Sequence, residues 1–122
     1  MATLLHGTTR YRAEQIMAGG PDPDFMEPGG GMRAEGFSTC LRAGPFPLGT
    51  PEVYARRKAA AFPAEGGPAI LAVDVPDNLV ALATDEVYFR LSQGVVQFDE
   101  GAGLEELRAA WSTLPKQILP VA

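Results

Sequence analysis

One cysteine and one histidine stand in a chain of 122 residues. Cys40 therefore has no partner for an internal disulfide. Together with His6 it falls short of the three or four nitrogen and sulfur ligands that a zinc site needs. Following Thr39, Cys40 reads first as a small buried apolar residue, with a nucleophile as the alternative. Basic residues are also scarce: ten Lys and Arg stand against fifteen Asp and Glu, for a net charge of −5 and a pI near 4.8. A protein built to grip a nucleic-acid backbone shows the opposite balance. No stretch approaches the roughly 18 uncharged apolar residues of a membrane span. Met1 to Leu5 lacks the basic start and apolar length of a signal peptide. The expectation is a cytoplasmic protein with no membrane partner, free of internal repeats and low-complexity tracts.

What is present is an ordinary globular composition, 46% hydrophobic and 20% charged, which suits one domain over residues 1–122. The 14 glycines and 11 prolines cluster between apolar segments, where turns belong. Thr3 to His6 reads as a buried strand ending in the histidine. Tyr11 to Ala18 reads as a helix with Ala13, Ile16 and Met17 on one face, stopped by Gly19-Gly20 in a left-handed cap. Gly19 to Gly31 reads as a long loop, either a lid or a surface insertion. Met32 to Leu41 forms a second strand. Thr50-Pro51-Glu52 opens a helix that runs to about Phe62, with Thr as N-cap and Pro at the first helical position. Ala69 to Val75 is an apolar run suited to a central strand. Glu86 to Leu91 and Gly94 to Phe98 are strand-like. Leu104, Leu107, Trp111 and Leu114 mark the inward face of a third helix, with Trp111 a core residue. Ile118 to Val121 closes the chain as a strand. Helices do not alternate regularly with strands, so the expected class is α+β.

Two blocks carry the chemistry: Leu4-Leu5-His6-Gly7-Thr8, and Glu35-Gly36-Phe37-Ser38-Thr39 about 30 residues later. A strand with His-Gly-Thr, a helix, and a second strand with an aromatic two residues before a Thr resemble the start of the ADP-ribosyltransferase family, which includes diphtheria toxin and the poly(ADP-ribose) polymerases. Tyr54 is similar to a further aromatic that the family carries in its next helix. The resemblance spans Leu4 to about Val96. It implies a mixed, mostly antiparallel split sheet of about six strands with about three short helices. It also implies NAD as substrate, bound through His6, Gly7, Thr8, Phe37, Ser38, Thr39 and Tyr54, with ADP-ribose passed to an acceptor. A protein is favoured over a nucleic acid as that acceptor.

Cleaving the nicotinamide–ribose bond leaves positive charge on the sugar, as in glycoside hydrolysis. The imidazole of His6 suits donation to a ribose hydroxyl, Gly7 lets the backbone approach the amide, and an aromatic face stacks on nicotinamide. The family's late-strand Glu, which supports the cation, falls here on Ser92-Gln93-Gly94. Gln93 is the first choice for that place and Glu86 the acidic alternative, ahead of Glu100 and Gln117. Gln brings no charge, and losing one there costs on the order of 10²–10³ in rate. Arg10, Arg12, Arg33 and Arg42 either meet the NAD pyrophosphate or face solvent, and Arg56-Arg57-Lys58 reads as a solvated helix face. Three other readings stand beside the transferase. One is a non-catalytic relative of the same fold that binds NAD, ADP-ribose or a protein; another is an RNA 2′-phosphotransferase, which the acidic balance disfavours. The last is an unrelated α+β domain in which His6 is a satisfied strand histidine and Phe37 and Tyr54 are core.

Overall fold

The structure is a computed structural model that describes residues 2–21, 36–41, 51–82, 95–99 and 102–121. Its elements in chain order are β1 (Ala2–Thr9), α1 (Arg10–Gly19), β2 (Gly36–Leu41), α2 (Pro51–Ala61) and β3 (Pro68–Val75). These are followed by α3 (Asp77–Val80), β4 (Val95–Asp99), α4 (Ala102–Ala110), a 3₁₀ turn (Trp111–Thr113) and β5 (Lys116–Pro120). The strands form one five-stranded sheet in the order β4-β2-β1-β3-β5.

β1 lies at the centre because both of its faces are apolar. Successive residues of a strand point to opposite faces, and Leu4 and Leu5 are both buried. Leu4 joins the larger core with Leu71, Val73 and Val75 of β3, Ala13 of α1, Phe98 of β4, and Leu104 and Leu107 of α4. Leu5 joins a thinner layer with Ile70 and Ala72 of β3 and Ala55 of α2. β3 reads as a nearly unbroken apolar run for the same reason: helices cover it on both sides.

Thr9 ends β1 and caps α1, its side chain accepting a hydrogen bond from the backbone N–H of Arg12 at 3.2 Å. At the other end of α1, Gly20 takes a φ of 82° and returns its N–H to the carbonyl of Ile16 at 2.7 Å. Its ψ of 169° is extended, so this is a positive-φ stop and not the left-handed cap expected. A Cβ there would sit 3.5 Å from the Trp111 ring, and the Trp111 indole N–H donates to the carbonyl of Met17 at 3.1 Å. Leu104, Leu107, Trp111 and Leu114 are all buried, as their spacing predicts, although the last turn tightens to 3₁₀ at Trp111.

Three further expectations are corrected. The sheet is not a mixed split sheet of six strands: the structure describes five, and all four pairings are antiparallel. Each strand returns beside one that runs the opposite way, and the expected strand Glu86 to Leu91 lies outside the described residues. A fourth helix, α3, joins the three expected. Pro76 leads into it with φ −61°, and Asp77 places an acid in its first turn. Four residues are too few for a helical apolar period to show in sequence. Finally, β1 does not end at His6. It pairs residue by residue with β3 from Ala2↔Val75 to Thr9↔Pro68, so His-Gly-Thr lies within the strand. The ladder partner decides this, and local sequence does not report it.

Candidate functional site

The ladder between β1 and β2, near the centre of the sheet, is short. β1 pairs with β2 at Leu4↔Leu41 and Leu5↔Cys40. Among the described residues that ladder goes no further toward the C-terminal end of β1. On their other edges β1 pairs with β3 throughout, from Ala2 to Thr9, and β2 with β4 from Gly36 to Cys40. Two motif segments, His6-Gly7-Thr8 and Phe37-Ser38-Thr39, therefore lie on adjacent strands just where those strands stop pairing with each other.

Residue by residue, the neighbourhood is specific. His6 stands opposite Leu71, and directly paired residues share a face, so the imidazole belongs to the face of the larger core. It is half-buried. Gly7 belongs to the other face, where α2 crosses β1. A Cβ on Gly7 would lie 2.2 Å from the carbonyl oxygen of Pro51 and 3.0 Å from the backbone nitrogen of Ala55. The space that a side chain would take at Gly7 is thus occupied by the first turn of α2. Thr8 is 0% exposed, and its hydroxyl has no hydrogen-bond partner among the described residues. Thr39 is buried as well. Phe37 is placed in register opposite Phe98, and Ser38 opposite Gln97. Tyr54 is half-buried on α2 and so approaches from the face opposite to that of His6.

The structure thus brings the His6 and Phe37 segments to neighbouring strands and places Tyr54 across the sheet from His6. Gln93, Glu86 and Glu100 lie outside the described residues, as do Arg33, Arg42 and Thr50. Gln117 is on β5 opposite Ala72, two strands away and on the α2 face. It lines a hollow of about 390 Å³ with Thr3, Asp74 and Lys116, which none of the motif residues reaches. Among the described residues no cluster of three or more His, Cys, Asp or Glu could hold a metal. No described helix is long and apolar enough to cross a membrane.

One polar cluster next to the motif was not singled out from the sequence. Glu65, in the turn after α2, receives the Thr9 hydroxyl at 2.8 Å and the Arg12 guanidinium at 2.6 and 3.3 Å. Arg12 is 8% exposed and its guanidinium carbon stacks 4.1 Å from the centre of the Phe62 ring. The hydrogen bond from Arg12 is the main cause holding the Glu65 carboxyl below the ordinary glutamate range; Thr9 and the nearby charges of Arg12 and Lys58 add to it against the opposing effect of burial. Burial pushes the Lys58 ammonium down, Arg12 adds to that, and Glu65 opposes both. Of the arginines that the sequence offers to a pyrophosphate, Arg12 is committed to Glu65, and exposed Arg10 pairs with Glu14 at 3.0 Å. A Thr three residues before an Arg marks a cap, but nothing in the sequence ties either to Glu65, more than fifty positions away.

No family model, curated protein or solved structure matches this chain.

Proposed function

We propose that the chain binds NAD where β1 and β2 part, and that it transfers ADP-ribose to an acceptor with release of nicotinamide. The single supporting observation is the end of the β1–β2 ladder at Leu5↔Cys40. A ligand entering between two strands that no longer pair is met by both motif segments, and by groups from both faces of the sheet. His6 would donate to a ribose hydroxyl, Phe37 would supply a stacking ring, and the buried Thr8 hydroxyl would gain the partner it lacks. Tyr54 would meet the ligand from the α2 side. Stabilisation of the cationic sugar would fall to Gln93 or Glu86. The proposal carries with it a cytoplasmic location, where NAD is available, and a protein acceptor ahead of a nucleic acid.

The test is nicotinamide release from NAD by the purified full chain, wild type against His6→Ala. Release that falls at least about a hundredfold in the variant supports the assignment, since that is the scale of losing one donor aimed at developing charge. Release unchanged by the substitution, or absent along with any NAD binding, removes it. A second reading, binding without turnover, is favoured by one observation: Glu65, the described carboxylate bonded to the end of β1, is committed to Thr9 and Arg12. Calorimetric NAD binding without nicotinamide release would select that reading.

A further inference from the structure

We infer that Glu65 is a positioning residue for the His6-Gly7-Thr8 segment and acts through Thr9. This inference rests on the proposed NAD site for its functional meaning, but its structural basis is separate. Beyond Leu5, β1 has lost the β2 ladder, so its last four residues are held from one side only among the described pairings. On that side Thr9 stands opposite Pro68 at a non-hydrogen-bonded position of the ladder, so β3 offers the Thr9 backbone no bond there.

The turn after α2 supplies what the ladder omits. The backbone N–H of Arg10 donates to Gly67 at 2.9 Å and that of Tyr11 to Glu65 at 3.0 Å. The Glu65 carboxylate takes the Thr9 hydroxyl, whose oxygen in turn accepts the Arg12 N–H that begins α1. Arg12, pinned by Phe62 and by two hydrogen bonds, fixes the carboxylate itself. One side chain thus joins the last residue of β1, the first turn of α1 and the turn after α2. Hydrogen bonds to charged groups are about twice as strong as neutral ones, so the charge of Glu65 matters as well as its shape. Releasing it frees Thr9, and Thr8 and His6 lie next along the same strand, beyond the described β1–β2 pairs.

The chain has one histidine, so the His6 ring gives a single imidazole resonance that reports on this segment without assignment ambiguity. Wild type is compared with Glu65→Ala, Glu65→Gln and Thr9→Val by that resonance and by calorimetric NAD affinity. Glu65→Ala and Thr9→Val are expected to move or broaden the His6 signal and to weaken NAD binding about tenfold, the size of one charged hydrogen bond. Glu65→Gln, which still accepts from Thr9 but lacks the charge, is expected to fall between wild type and Ala in both signal and affinity. A folded Glu65→Ala whose His6 signal is unmoved overturns the inference, whatever its melting temperature. So does Glu65→Gln behaving like Ala. If Glu65→Ala does not fold, Thr9→Val against Glu65→Gln decides. If wild type binds no NAD, the functional proposal falls, and the His6 signal alone still decides whether Glu65 positions this segment.

Discussion

Gly7 has two claims on it, and the structure favours packing. Its missing Cβ is where the Pro51 carbonyl sits, and a backbone atom of a helix in contact with two strands cannot retreat alone. Gly7→Ala should destabilise the protein by about 1–3 kcal/mol, the usual range for inserting a carbon into a packed contact, read as a fall in the urea midpoint. An unchanged midpoint would mean that α2 is free to lift. Thr8 makes the opposite prediction. A buried hydroxyl with no partner costs free energy, and Val has the same branched shape and suits a strand. Thr8→Val should raise stability by about 1 kcal/mol while lowering NAD affinity, a trade expected only where a polar group is kept for a ligand. Greater stability with unchanged NAD binding would assign that hydroxyl no role.

At the scale of elements, the Glu65 cluster welds α1, α2 and β1 at one end of the sheet, and its pH dependence has a definite sign. The folded-state pKa of Glu65 lies below the ordinary value of 4.5. Its contribution is therefore fully present above that value and is lost as pH falls through the lower, folded value. Urea midpoints measured from pH 6 down to pH 2.5 should fall more steeply in wild type than in Glu65→Gln, with the difference confined to the region below the ordinary glutamate value. Parallel curves would show that Arg12 does not hold the carboxylate in solution. The side chains of Arg12 and Glu65 are only 10% and 21% exposed. Breaking the pair from one side therefore strands a largely buried charge, and Arg12→Ala should be more damaging than Arg10→Ala, whose partner Glu14 lies in solvent.

For the whole molecule, the two faces of the sheet are unequal. The larger core gathers leucines, Phe98 and Trp111 beneath α1 and α4, whereas the α2 side is a thinner layer of Leu5, Ile70, Ala55 and Ala72. Leu71 faces the first and Ala72 the second. Leu71→Ala should cost about 3 kcal/mol through lost transfer energy and the cavity left behind, a large share of what a chain of this size holds in reserve. Saturating NAD should recover part of the lost melting temperature if it binds only the folded state. A melting curve indifferent to NAD at millimolar concentration would count against the proposed site.

Much of this organisation was legible before any coordinates, and the legible part shares a cause. The apolar run at Ala69–Val75, the spacing of Leu104, Leu107, Trp111 and Leu114, and Pro51 at a helix start are local patterns that burial and backbone geometry impose on neighbouring residues. The same amino-acid order also implied the absence of an internal disulfide, because one thiol cannot pair with itself. Pairing was decided elsewhere. That β1 runs on through His6 to Thr9, that it leaves β2 after Leu5, and that α2 fills the space over Gly7 all depend on partners tens of residues away. Glu65 became part of the site region for the same reason. A hydrogen bond spanning 56 positions, from Thr9 to Glu65, leaves no trace in either segment, because what selects the residue is where the chain returns in space.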